Sequence, residues 1–213
     1  MSKIDHHLHT TRYSPDSSID PYDLLEKAVE LKLNGVVITE HDEQWPADEL
    51  AELQSHRPEL LVLSGVEVSA REGHFLVYGL PDLNEVQPGI LLRDLLAVVH
   101  AYNAAIVGAH PFRWGQDFTQ IVTDHGPVFD GLELVSNNVT PETRSDTAHL
   151  LQSYPTIGAT GSSDAHQRST IGCYYTHFEA DIRSMADFVR ALKSRRFRPG
   201  YQPDGPLSSG PVE

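Results

Sequence analysis

Short apolar runs alternate along this chain with longer segments of helical periodicity, and that alternation restricts the fold more than any other feature. We predict strands at residues 3–7, 35–39, 60–69, 74–79, 105–109, 131–135, 156–161 and 173–178. Helical patterns lie between them, at residues 21–33, 47–55, 89–102, 141–153 and 185–194. Alternating strands and helices form an α/β fold, in which helices cover a largely parallel sheet. Periodicity alone leaves an open sheet and a closed barrel as alternatives.

The length and composition of the chain predict one substantial domain. It has 213 residues, of which 39% are hydrophobic and 22% charged, and these proportions are ordinary for a globular protein. We assign residues 1–198 to this domain. Residues 199–213 are rich in Gly, Pro and Ser and lack apolar periodicity, so we predict a flexible tail there.

Several features bear on the compartment and the partners of the protein. No apolar run approaches the roughly 20 residues that are needed to cross a bilayer, and the first residues lack the order of a signal peptide. The single cysteine, Cys173, excludes an internal disulfide. We therefore expect a cytoplasmic protein with no membrane partner. A formal net charge of −14 makes a long nucleic acid an unfavourable partner, because phosphate backbones are also negative.

Imidazole and carboxylate side chains stand at or beside the ends of several predicted strands. They belong to His7, His9, His41, Asp42, Glu67, His74, His110, Asp164 and His166. Because the carboxyl ends of parallel strands meet at one edge of a fold, we expect these side chains to lie close together. Mixed nitrogen and oxygen ligands suit zinc, manganese and iron, and this set is larger than one ion needs. The pattern predicts two or three divalent metal ions (Zn, Mn or Fe).

The neighbours of the first two histidines have different predicted roles. His7 and His9 alternate along the first strand, so their side chains leave it on the same side, and His6 points the opposite way. We interpret His6 as structural. Asp5 shares the side of His7 and His9 and is a candidate for orienting an imidazole.

Six ordered motifs of the chain resemble those of the PHP (polymerase and histidinol phosphatase) family. They read DHHLHT, YSPDS, GVVITEHD, GVEVS, GAHP and GSSDAH, and they span most of the predicted domain. The resemblance implies a distorted seven-stranded (β/α) barrel that holds two or three divalent metals at its strand ends and hydrolyses phosphate esters.

The resemblance also implies which residues hold each metal. His7, His9, Glu67 and Asp164 would surround the first ion, and Glu67 would bridge to a second ion held by His74 and His110. Asp16, His41 and His166 would hold a third. Many members carry a further ligand after the strand that reads GLELVSN here. Glu133 and Asn137 are the alternatives for that position.

The implied reaction is hydrolysis of a phosphomonoester by a hydroxide that bridges two metals. Asp42 and His166 are alternative acids for the departing alkoxide. Arg113 and Arg168 are candidates for binding the substrate phosphate; Arg12 is a third candidate, for which a surface ion pair is an equal alternative.

We expect a small phosphorylated substrate, such as a nucleotide, a sugar phosphate or histidinol phosphate. The alternatives are a nuclease that acts on short oligonucleotides, a metal-binding regulatory module without catalysis, and an amidohydrolase that cleaves C–N bonds. The sequence leaves the substrate, the native metal and the oligomeric state open.

Overall fold

The computed structural model describes residues 1–202, in which ten strands and six α-helices follow one another. The strands are β1 (Ser2–Asp5), β2 (Gly35–Ile38), β3 (Leu61–Ser64), β4 (Val66–Ser69), β5 (His74–Tyr78), β6 (Ala105–Gly108), β7 (Gly131–Val135), β8 (Gly158–Gly161), β9 (Tyr174–Phe178) and β10 (Phe197–Tyr201). The helices are α1 (Pro21–Glu30), α2 (Ala47–Ser55), α3 (Leu92–Ala101), α4 (Phe118–His125), α5 (Pro141–Ser153) and α6 (Met185–Ser194).

The strands form two five-stranded sheets of mixed direction. The first has the order β10-β9-β1-β2-β3 and the second the order β4-β5-β6-β7-β8. Pairing is parallel for β1–β2, β2–β3, β6–β7 and β7–β8. It is antiparallel for β1–β9, β9–β10, β4–β5 and β5–β6. The α/β class is therefore confirmed, and the sheets are less uniformly parallel than the alternation predicts.

The closed seven-stranded barrel that the resemblance implies is not seen within the described part of the chain. One cause is that the predicted strand at residues 60–69 is divided at Gly65 into β3 and β4, which belong to different sheets. A Cβ at Gly65 would lie 2.7 Å from the Tyr78 ring, so this close approach requires glycine. Two isolated bridges, Leu8–Ala165 and His41–Glu67, connect the sheets.

Helices α1 and α4 begin at recognisable local signals. In α1, the Asp20 side chain accepts the amide of Tyr22 at 2.8 Å, and Pro21 occupies the first turn. Helix α4 was not predicted, although the Asp117 carboxylate caps its first turn and its Phe118 packs in the core.

The C-terminal part of the domain extends further than predicted. Strand β10 pairs antiparallel with β9 over its whole length, so the predicted boundary between residues 198 and 199 falls inside a strand. The rest of the predicted tail, residues 203–213, lies outside the described residues. None of the described helices is both long enough and apolar enough to span a bilayer.

Candidate metal centre

Glu67 lies at the centre of a cluster of buried polar side chains. It belongs to β4, and only 1% of its surface is exposed. Its two carboxylate oxygens lie within 3.3 Å of five imidazoles, those of His7, His9, His41, His74 and His110. A single carboxylate thus contacts side chains from both sheets.

The antiparallel direction of β5 explains how His74 reaches this cluster. His74 is the first residue of β5, whereas His110 follows the last residue of β6. Because the two strands run in opposite directions, the start of one lies beside the end of the other, and the amide of Ala109 donates to the carbonyl of His74 at 3.1 Å. A ligand at a strand's start therefore shares an edge with ligands at strand ends.

Asp164 is the second carboxylate of the cluster. Its Oδ1 lies 3.3 Å from Nε2 of both His7 and His9 and 3.6 Å from Nδ1 of His166. Asp164 and His110 both have positive φ, at 50° and 29°. Non-glycine residues in this region are strained by about 1–3 kcal/mol each, and such strain is typical of functional sites.

Three sets of donor atoms are close enough to hold a cation, with all atoms of a set within 4.8 Å of one another. The sets are His7, His9 and Asp164; His7, Glu67 and His110; and His9, His41 and His166. Asp16 adjoins the last set, with its Oδ2 3.2 Å from His41 Nε2 and 3.3 Å from His166 Nε2. The structure thus brings all nine residues of the implied ligand sets into one cluster.

Several donor atoms of the cluster fit divalent cations because they have no other partner. Nε2 of His7, Nε2 of His9 and Oε2 of Glu67 are buried and make no hydrogen bond within residues 1–202. Leaving such a group unsatisfied costs about 1–3 kcal/mol each. Imidazole and carboxylate ligands together suit zinc, manganese or iron.

The protonation of the cluster follows from its mixture of charges. Burial alone would lower the pKa of His9, but the carboxylates of Asp164 and Glu67, each with an oxygen 3.3 Å from its Nε2, raise this pKa to about 9. Burial opposes ionisation of Glu67, yet the charge of His7 and the hydrogen bond from His110 hold its pKa well below the usual value. The carboxylates are therefore ionised at neutral pH, and protons occupy imidazoles that a cation would otherwise use.

Glu133 contacts a candidate ligand and lies outside the three donor sets. It is fully buried in β7, and its Oε1 lies 2.9 Å from Nδ1 of His7, while its Oε2 accepts the amide of His110 at 2.7 Å. Both ends of the Asn137 amide are engaged, by the Ser163 carbonyl at 2.5 Å and the Cys173 thiol at 3.3 Å. Glu133 and Asn137, the two alternatives for the further ligand, therefore both lie outside the three donor sets.

Asp42 does not join the cluster, although it follows His41 in sequence. Its φ of 54° turns the chain, and its Oδ1 accepts the amide of Ser69 at 2.7 Å. The amide of Asp42 donates to the carbonyl of Glu67 at 2.9 Å. The side chain and the amide of this candidate acid are therefore both engaged with the backbone of β4.

Two of the three predicted phosphate-binding arginines also lie elsewhere. Arg12 is 52% exposed and forms an ion pair with Glu49 at 2.7 Å, which is the alternative role considered for it. Arg168 is exposed in a short 3₁₀ turn and does not line the cavity over the cluster. Arg113 does line it, and its Nη1 lies 3.6 Å from Asp164 Oδ2.

The cavity over the cluster has a volume of about 440 Å³. Besides the candidate ligands, Arg113 and Asn137, its lining includes side chains that sequence reasoning missed: Trp114, Asn138, Gln167 and Thr170. All follow a predicted ligand or a strand end in sequence, and that position was their only signal.

Two residues next to the ligands stabilise the fold beneath the site. His6 is buried with its ring nitrogens 2.8 Å from the Tyr78 hydroxyl and 3.1 Å from that of Thr176, as expected for a structural histidine. Asp5 accepts the backbone amides of Ser163 and Gly172 at 2.8 and 2.9 Å. It orients no imidazole, contrary to expectation.

Known protein families match most of the chain. A family model described as PHP domain matches residues 5–103, and one described as PHP-associated matches residues 155–197. No curated protein matches the sequence.

Several solved structures are similar in fold. PsfC from Pseudomonas syringae PB-5123 has a TM-score of 0.76 and 19% identity, over 97% of this chain and 93% of that chain. A protein from Bifidobacterium adolescentis, provisionally described as a metal-dependent phosphoesterase, has a TM-score of 0.65 and 17% identity, over 90% of this chain and 96% of that chain. The lesion-specific endonuclease PfuEndoQ from Pyrococcus furiosus has a TM-score of 0.66 and 18% identity, over 91% of this chain and 56% of that chain.

The donor sets at the strand ends and the matching family models together indicate a metal-dependent hydrolase. The chain belongs to the PHP family, as the order of its motifs predicts.

Proposed function

We propose that the protein is a metal-dependent phosphoesterase that hydrolyses a small phosphomonoester. The observation that carries this proposal is the position of Arg113. Its guanidinium lines the same cavity as the candidate ligands and lies 3.6 Å from Asp164. A fixed cation beside a metal centre is suited to a phosphate group, whose oxygens accept both metal coordination and hydrogen bonds from arginine.

His7, His9, Glu67 and Asp164 would hold the innermost metal, since their donor atoms converge and several lack other partners. Divalent ions bound here would lower the pKa of water and polarise phosphoryl oxygens. Glu133 would fix His7 with Nε2 free for the metal, because its carboxylate lies against Nδ1.

Of the two candidate acids for the leaving group, His166 is the better placed. It lines the cavity and is 25% exposed, whereas the carboxylate of Asp42 is engaged with Ser69. Burial and the charge of His9 lower the pKa of His166, which favours release of its proton. A role as acid requires that one ring nitrogen of His166 is not bound to metal.

The size of the cavity and the charge of the protein favour a small substrate. A volume of about 440 Å³ is at the lower end of the range for metabolite sites. The net charge of −14 disfavours a long nucleic-acid strand, whose backbone would be repelled.

The test is hydrolysis of a panel of phosphomonoesters, including p-nitrophenyl phosphate, by protein loaded with Mn, Zn or Fe. His7→Ala and Asp164→Ala should abolish turnover, because each removes a ligand from the innermost set. His149→Ala, which removes an exposed imidazole from α5, is the matched control and should retain it. Turnover by metal-stripped protein would refute the mechanism. Metal binding without turnover of any ester would instead support a regulatory module.

A further inference from the structure

Trp114 is an exposed aromatic side chain at the edge of the cavity. Its surface is 69% exposed, and its indole lines the cavity. The ring lies edge-on to two candidate ligands, with centroids 5.6 Å from His74 and 5.8 Å from His110. A flat apolar surface therefore begins directly beside the metal centre.

One face of this indole is already occupied by Arg113. The guanidinium carbon lies 3.7 Å from the ring centroid, which is a cation–π contact. Since Arg113 also contacts Asp164 at 3.6 Å, the arginine fixes the indole against the cluster. Because the indole remains 69% exposed, its other face is open to a ligand.

The backbone at Trp114 is strained, and the side chain is too exposed for its packing to offset that strain. His110, Phe112 and Trp114 have φ of 29°, 66° and 55°, in the region that side chains other than glycine rarely adopt. Phe112 gains contact with Phe118, at a centroid distance of 6.1 Å. Trp114 gains little burial in return. An exposed aromatic in a strained segment beside a metal centre indicates a functional position.

The rest of the cavity wall offers neutral polar groups. Asn138, Gln167 and Thr170 line it. The Asn138 amide donates to Asp164 and the Thr170 hydroxyl donates to the carbonyl of Gln167, whereas the Gln167 side-chain amide makes no hydrogen bond within residues 1–202. Neutral donors and acceptors near an aromatic face suit a flat heteroatom-bearing ring better than a second anionic group.

We propose that Trp114 determines specificity by stacking on a planar aromatic ring in the alcohol part of the phosphomonoester. This inference rests on the proposed phosphoesterase function and names its substrate class. Two sources share this chemistry, the base of a nucleoside monophosphate and the ring of an aryl phosphate. Stacking on an indole favours either, because every aromatic ring has a π face.

The kinetic test uses substrate pairs that differ by the ring. Adenosine 5′-monophosphate is compared with ribose 5-phosphate, and phenyl phosphate with cyclohexyl phosphate, on metal-loaded protein. In Trp114→Leu the preference for the ring-bearing member, measured as the ratio of kcat/KM values, should fall about 5- to 100-fold in at least one pair. Differences in intrinsic reactivity cancel because wild type and variant hydrolyse the same pair.

Trp114→Phe is the matched control, since phenylalanine keeps a ring that can stack and leucine does not. It should retain most of the preference. An equal loss of kcat/KM on both members of each pair would show a general disturbance of the cluster and overturn the proposal. A loss of preference confined to the adenosine 5′-monophosphate pair identifies a nucleotide base as the ring that stacks on Trp114, and a loss confined to the phenyl phosphate pair identifies an aryl ring.

A binding measurement separates failure of this inference from failure of the proposed function. The chain has two tryptophans, and the other, Trp45, is 8% exposed and donates to Glu40 at 3.0 Å. Fluorescence that differs between wild type and Trp114→Leu therefore reports Trp114. Adenosine or phenol should quench it saturably on metal-loaded protein, and ribose should not. Saturable quenching without turnover of any ester would keep the ring site and refute the phosphoesterase; no quenching by either would overturn the ring site.

Discussion

In Glu133→Gln, the new side-chain amide cannot hydrogen-bond well to both partners of the carboxylate that it replaces. The carboxylate faces Nδ1 of His7 with one oxygen and the amide of His110 with the other. Glutamine has a single oxygen. If that oxygen stays on His7, its NH₂ group points at the His110 amide, and a buried donor loses its acceptor. If the amide turns over, its NH₂ faces Nδ1 of His7, and the His7 proton must move to Nε2, the nitrogen that faces Glu67 and Asp164.

The expected magnitudes follow from these two outcomes. A buried donor left without an acceptor lowers the free energy of unfolding by about 1–3 kcal/mol. Loss of the group that orients a ligating histidine typically weakens metal binding about 10- to 100-fold, or about 1.4–2.7 kcal/mol. We therefore expect Glu133→Gln to weaken metal binding by this factor and to destabilise the metal-free protein by a similar free energy.

Metal affinity is measured by competition with a chelator, and stability by denaturant unfolding of the metal-free protein. Asp130→Asn is the matched control: Asp130 is a partly buried carboxylate that, like Glu133, accepts a backbone amide, that of Ile106 at 3.0 Å, and it lies outside the donor sets. Wild-type metal affinity in Glu133→Gln, or an equal loss in Asp130→Asn, would refute the role of Glu133 as the residue that orients His7.

Three further predictions concern protons, phosphate and the acid. Metal binding should release protons and should become tighter as the pH rises toward about 9. His9 has its pKa there, so it is protonated at lower pH and must lose that proton to bind metal. Calorimetry in buffers of different ionisation enthalpy measures the number of protons released. Arg113→Ala should raise KM for phosphomonoesters about 10- to 100-fold, whereas exposed Arg168→Ala should change KM less than about 2-fold. Asp42→Asn keeps an acceptor for Ser69 and should retain kcat; a fall of about 100-fold would restore Asp42 as the acid.

Local sequence signals predicted much of the fold. Helices α5 and α6 and strand β7 begin and end where predicted, and α5 starts at a capping box formed by Thr140 and Thr143. The division at Gly65 was not predictable from periodicity, because β3 and β4 are separated by Gly65 alone and apolar residues recur on both sides of it. Strand β10 was missed because Pro199 and Gly200 are typical of loops. As an edge strand, β10 can accommodate a proline.

The candidate site was predictable where residues alternate on a strand or end it, and not where the chain turns. His7 and His9 project together because alternate residues of an extended chain share a side. Asp42 and Arg168 each follow a candidate ligand closely, but adjacency in sequence did not place them in the cavity. Trp114 carried no periodic signal, because an exposed aromatic in a loop belongs to no helical or strand pattern; only its place after His110 pointed to the site.

The candidate metal centre lies where the two sheets meet, and this position connects the fold with the proposed chemistry. The bridges between the sheets, Leu8–Ala165 and His41–Glu67, each contain or adjoin a candidate ligand. Elsewhere continuous ladders hold the strands of each sheet together, but at these bridges the pairing is short. Cations shared by His7 and His9 from one sheet and Glu67 from the other would therefore join the two halves at the place where backbone pairing is sparse. Since a bound ion stabilises only the folded state, by about 2.7 kcal/mol at 100 times its Kd, the ligands that define the site would also hold the sheets together.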